Sequence, residues 1–236
     1  MTQHLLASRD EAEVLWFQRR GFLQAAAAWT AAGGFTAAQA QQRSNIVELM
    51  GDARLNGERL RPDATVQTGD QIETGPGAGL VFVVGNTAFR VRQNSRLSVE
   101  RGGTLNTVSL LRLITGGVAS VWGRGVLRQV VTPTLTAGIR GTGVYAQADA
   151  SGRSYVCNCY GVVDMQAGGE RLRSQADYHQ AFWGETQPVD GRLLRPAPAV
   201  DHTDEEIEFL ARLVDQRPNW LVMGRKGNHD GSGSVY

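Results

Sequence analysis

The sequence predicts an all-β chain of short strands and glycine-rich turns, with a short C-terminal helix. Three observations carry this. Between residues 41 and 184, turn signals recur roughly every eight to twelve residues, the spacing of a sandwich, barrel or solenoid. Glycine outnumbers proline 29 to 7, and the Val, Thr and Leu residues between the glycines favour strands over long helices. Only at residues 202–216 does the apolar period become helical. No strict repeat declares a solenoid, so solenoid and sandwich arrangements both stay open.

Taken in order, residues 1–40 begin polar and then run through Arg19, Arg20, Gly21, Phe22 and Leu23 into an alanine-rich stretch ending at Ala38-Gln39-Ala40. A paired arginine, Phe-Leu, a weakly apolar stretch and an A-x-A site resemble a twin-arginine export signal, with cleavage expected after Ala40. The stretch is less apolar than a membrane span, which needs ~20 strongly apolar residues. No stable transmembrane segment is therefore expected.

Residues 41–184 are expected to form the β domain. Residues 41–60 read as a first strand pair, with Asn56-Gly57 as the hairpin signal. Leu80 to Val84 is a continuous apolar run, expected to be buried on both faces. Strands are also expected at residues 108–114 and 118–122 around a Gly116-Gly117 turn. Further runs follow at 144–148, 155–160, 162–165 and 171–181, with a break at Gly161. Residues 185–200, with Pro188, Pro196 and Pro198, read as a linker. Asp201 or Thr203 can cap the helix that follows, and acidic residues occupy its first turn. The helix and an apolar end occupy 201–223, and residues 224–236 read as a disordered tail.

The segment from Val131 to Tyr145 reads as strand, corner, strand. Thr132 and Pro133 break the ladder, because proline has no N–H to donate. Gly138, Gly141 and Gly143 then permit sharp turning around Ile139, Arg140 and Thr142. Arg140 is expected to staple this corner, since a buried guanidinium must be paired.

Composition excludes several functions. The net charge of +1 gives no field for nucleic acid. Two cysteines exclude a disulfide-rich scaffold. No Walker or Rossmann glycine motif is present, and no Ser/His/Asp or paired-carboxylate arrangement can be picked out.

Leu60-Arg61-Pro62-Asp63, residues 68–75 (TGDQIETG), Asn94-Ser95, residues 113–118 (LITGGV), Thr132-Pro133-Thr134 with residues 138–142 (GIRGT), and residues 155–161 (YVCNCYG) occur in that order. Together they resemble the FecR domain family over about residues 46–183. The resemblance implies a periplasmic β domain, solenoid-like or sandwich-like. In its best-known members this domain receives a signal from an outer-membrane transporter and passes it to an anti-sigma segment. The eighteen residues before Arg19 leave no room for that cytoplasmic domain, so sigma-factor regulation does not carry over. The expectation is a non-enzymatic, exported sensing or protein-interaction module in the periplasm, without a cofactor and with a protein partner in the envelope.

Two other readings stay open. One is a structural or carbohydrate-binding envelope module, which exposed aromatics such as Trp122 or Trp183 would favour. The other is a redox or metal-binding protein using Cys157 and Cys159. Two apart on a strand, both thiols point to one face. A four-ligand zinc site needs two further ligands, and none lies nearby in the sequence. Packing of the two thiols in a core is the competing role. His179 reads as a lone histidine without a partner at a useful spacing. Nothing in the sequence specifies an oligomeric state.

Overall fold

Fourteen strands and two helices follow one another from Ile46 to Met223 in a computed structural model that describes residues 44–104, 107–125, 127–224 and 226. The chain divides into two units, Met1–Gln42 and Arg43–Tyr236. The first lies outside the described residues, and with it the Arg19, Arg20, Phe22, Leu23, Ala38 and Ala40 motif. So does the tail, apart from Gly224 and Lys226. No helix among the described residues is long and apolar enough to cross a membrane.

The strands are β1 (Ile46–Met50), β2 (Ala53–Leu55), β3 (Glu58–Arg59), β4 (Gln71–Thr74), β5 (Gly79–Val84), β6 (Thr87–Val91) and β7 (Arg96–Arg101). After them come β8 (Val108–Trp122), β9 (Arg128–Val131), β10 (Thr136–Ala148), β11 (Ser154–Ala167), β12 (Glu170–Ala176), β13 (Gln180–Val189) and β14 (Arg192–Ala197). The helices are α1 (Asp204–Leu213) and α2 (Asn219–Met223). The strands make one sheet, antiparallel except between β8 and β9. The all-β fold with a short C-terminal helix is thus the observed one.

Local chemistry accounts for much of this. Asn56 and Gly57 take φ of 54° and 85°, the backbone a two-residue hairpin needs, and β2 pairs with β3 across them. The Thr203 hydroxyl accepts from the Glu206 N–H and caps α1. The pairing of the first strands differs from expectation, because β1 crosses to β5 and leaves β2 to β3 and β4.

The three longest strands run through positions where the sequence suggests turns. β8 passes Gly116 (φ 82°), β10 passes Gly141 (φ 61°) and β11 passes Gly161 (φ 96°). Only glycine adopts this backbone without strain. Each strand changes a partner there. β8 leaves β7 for β6, β10 leaves β9 for β8, and β11 leaves β13 for β12 on the other side of the bend. The glycines bend long strands and do not end them.

The corner around Pro133 therefore lies earlier than expected. Thr132 to Leu135 forms it, with the Leu135 N–H donating to Thr132 Oγ1 and the hydroxyl donating to the Leu135 carbonyl. Gly138, Ile139, Arg140, Gly141, Thr142 and Gly143 lie within β10. Ile139 is buried, and the Thr142 hydroxyl donates to the Tyr160 carbonyl. Arg140 is not the buried staple expected: its side chain is 61% exposed and only 3.7 Å from the exposed Asp164 carboxylate. An exposed ion pair contributes about 0–1 kcal/mol. The expected linker is likewise ordered, since β13 and β14 form a hairpin turning at Asp190-Gly191. Pro196 sits in β14, an end strand of the sheet path that, among the described residues, pairs with β13 alone.

Side chains alternate across each strand, and the central strands divide two cores. Leu80, Phe82, Phe89, Val91, Val118, Trp122, Val144, Ala146 and Val156 enter the first, which also holds Leu97, Leu111 and Ile139. Val81, Ala88, Ala119, Val121, Tyr145, Tyr155, Cys157 and Cys159 enter the second. Ile207, Leu210 and Ala211 of α1 and Trp220 of α2 cover that second face.

Candidate functional site

The second core holds the chain's concentrated chemistry. Cys157 and Cys159 alternate with Val156 and Asn158 on β11, so both thiols face α1. Their strand is paired on both sides, Cys157 opposite Tyr145 of β10 and opposite Ala181 of β13. Strands held from both sides place side chains with little freedom.

Two histidines complete the group. His179 ends the connector after β12, immediately before Gln180 starts β13. His202 lies between β14 and α1, one residue before the Thr203 cap. One ligand atom from each of Cys157, Cys159, His179 and His202 lies within 4.8 Å of all the others. The four residues are between 0% and 6% exposed.

The outer atoms of both imidazoles are occupied. His202 Nδ1 lies 2.7 Å from the Val200 carbonyl, so it carries the proton and donates. His179 Nε2 lies 3.0 Å from the Asp204 carboxylate and donates likewise. Asp204 titrates below the usual range: burial would raise it, but Lys226 and His179 more than offset that. In the neutral rings the inner nitrogens, His179 Nδ1 and His202 Nε2, therefore present lone pairs, and they lie 3.0 Å apart. His179 Nδ1 is also 3.5 Å from Cys157 Sγ. Stacking fixes the ring planes, with His202 on Tyr145 and His179 on Trp220 at centroid distances of 4.8 and 5.3 Å.

Burial controls the local electrostatics. It pushes the Cys159 thiol up to about 12. For His202 burial acts downward, but Cys159, the Val200 carbonyl and Glu206 reverse it to a net upward shift. The lid over the site is pinned by charge. Glu206 of α1 meets Arg92 at 2.6 Å and Arg90 at 3.4 Å, and Arg92 also donates to the Asp201 carbonyl. Trp220 Nε1 donates to Glu208.

Cys157 and Cys159 thus lie where the sequence puts them, on one strand face. The two further ligands come from far along the chain. His179 is 22 residues beyond Cys157, and His202 is another 23 residues on. No short-spacing metal pattern covers such distances. The usable signal was His202-Thr203-Asp204, a histidine beside a helix cap and its first acidic residue.

The aromatic surface expected of a glycan binder is absent at the two positions considered. Trp122 is buried in the first core, and Trp183 is half-buried beneath the Arg153 guanidinium, 3.9 Å from its ring centre.

No family model matches the chain, and no curated protein does. Among solved structures, two crystal structures of a "putative anti-sigma factor" from Parabacteroides distasonis are similar. One is 10% identical with a TM-score of 0.44, covering 54% of this chain and 58% of that one. The other is 12% identical with a TM-score of 0.45, covering 56% and 60%. The chain spans less than two thirds of the length of either match.

Proposed function

We propose that this chain is a non-catalytic interaction module of the bacterial cell envelope, exported through its N-terminal segment and engaged in signalling by binding another protein. One observation carries the reading. The thiols, and the imidazoles of the described histidines, are sealed inside the second core, so a dissolved substrate does not reach them. A redox role is disfavoured on the same ground, since a buried Cys159 thiol pushed up to about 12 is a poor nucleophile.

The surface suited to a partner is β1. Among the described residues it pairs with β5 alone, and Val47 and Met50 stand 44% and 65% exposed on it. An unpaired strand edge offers backbone donors and acceptors for strand addition. The test places a photo-crosslinker at Val47, Met50 and, as a control, the exposed Leu127, in envelope extract. A discrete adduct from Val47 that is lost when Met50 becomes Asp, and one from Met50 that is lost when Val47 becomes Asp, supports the proposal. Equal labelling from all three positions, or none, overturns it. A reporter fused behind residues 1–40 tests export, which should fail when Arg19 and Arg20 become lysine.

A further inference from the structure

We propose that Cys157 Sγ, Cys159 Sγ, His179 Nδ1 and His202 Nε2 form a closed four-coordinate site for one divalent, zinc-class metal ion. Three independent features of the structure point to it.

The first is size. Tetrahedral zinc with bonds of about 2.3 Å to sulfur and about 2.0 Å to nitrogen sets ligand atoms roughly 3.3–3.8 Å apart. The four atoms lie within 4.8 Å of one another, so small side-chain adjustments bring all four onto one centre.

The second is orientation. In metal sites each ligating imidazole donates its other N–H to a carboxylate or carbonyl, which fixes the tautomer and turns the remaining lone pair toward the metal. Asp204 does this for His179 and the Val200 carbonyl for His202. The outcome is two ring nitrogens facing each other at 3.0 Å. That is close to the spacing of two nitrogen ligands on one tetrahedral ion.

The third is charge. Two thiolates neutralise a divalent ion, so the loaded site carries no net charge. A buried uncompensated charge would be strongly disfavoured. Loading replaces two S–H bonds by two metal–sulfur bonds, and the two protons leave to solvent. No electron moves. Sulfur and imidazole donors suit zinc, and four protein ligands leave no open position for a substrate. The ion is therefore structural. It joins β11, the β12–β13 connector and the segment leading into α1, and so fastens the C-terminal helices to the sheet.

The experiment uses the full chain, reduced and stripped of metal, titrated with cobalt(II) and then zinc(II). The expected results are one ion per chain, a tetrahedral cobalt spectrum with thiolate-to-metal charge-transfer bands, displacement by zinc, and release of two protons. The chain has only two cysteines, so the charge-transfer bands identify the ligands without mutation. Cys157→Ser should lose the tight binding. Asp204→Ala keeps all four ligands and should bind about 10–100-fold more weakly. The proposal fails if the reduced, β-folded chain takes up no stoichiometric metal. It fails if cobalt binds without thiolate bands, or if mass spectrometry finds Cys157 and Cys159 joined as a disulfide under the same conditions. Where Cys157→Ser does not fold, unchanged affinity in Asp204→Ala overturns the proposed orientation of His179.

Discussion

The two cores on either side of the central strands are built by different means. The first is aliphatic and aromatic hydrocarbon, centred on Phe82 stacked with Phe89 and on the edge-on contact between Phe89 and Trp122. Its stability comes from area removed from water and from close packing. The second carries tyrosines, cysteines, histidines and Trp220 beneath α1 and α2. It buries polar atoms, and each must find a partner or be penalised. The Tyr155 hydroxyl donates to the Pro198 carbonyl and accepts from the Val200 N–H. The first core could exchange one apolar side chain for another of similar volume. The second depends on a particular set of donors and acceptors, which is the property of a site.

The contrast can be broken most forcefully in the first core. Phe89→Ala should cost about 3–5 kcal/mol and lower the cooperative unfolding midpoint of the whole unit in denaturant titrations. An effect confined to the C-terminal helices would contradict the division. Next in size is metal removal, which follows from the proposed site. Chelation should accelerate hydrogen exchange in residues 176–181 and 198–213 and leave residues 80–91 protected. Equal loosening of both regions would show one core instead of two.

Glycine substitutions sharpen the comparison at the bends between the cores. Gly161→Ala places a Cβ 2.8 Å from Thr142 Cβ at φ 96°, whereas Gly57→Ala meets nothing within 4 Å at φ 85°. The first should cost roughly 2–4 kcal/mol, from strain plus overpacking, and the second about 1 kcal/mol. Thermal denaturation of the two variants separates these contributions. A smaller effect belongs to Glu170, whose carboxylate accepts from the Leu194 and Leu193 N–H groups; those bonds hold it below the usual carboxylate range. A lowered folded value means its contribution is present above the ordinary Glu value of about 4.3 and is lost as pH falls through the folded value. Amide shifts of Leu193 and Leu194 should follow that titration and become insensitive to it in Glu170→Gln. Least of all, Arg140→Ala should change stability by no more than about 0.5 kcal/mol.

Legibility follows the same division. The apolar run at Leu80–Val84, the Asn56-Gly57 hairpin and the Thr203-capped helix were readable because each depends on neighbours a few residues away. Gly116, Gly141 and Gly161 were readable as special positions but not as bends inside long strands. A positive φ ends a strand or redirects it according to the partners available on either side. The hairpin of β13 and β14 was hidden by its prolines. Pro196, lacking an N–H, is tolerated there because the strand pairs on one side only.

By itself, the sequence determined the all-β class, the single change of period near residue 204, and one strand face carrying two thiols. These properties are written in backbone preference and in alternation along the chain. The folded chain alone decided that His179 and His202 join those thiols, and that Asp204 and the Val200 carbonyl aim their rings. The four ligands come from three segments, β11, the β12–β13 connector and the stretch leading into α1, brought together by strand exchange at the glycine bends and by α1 closing over the sheet. Proximity across such separations is a property of packing, and no local pattern of residues records it.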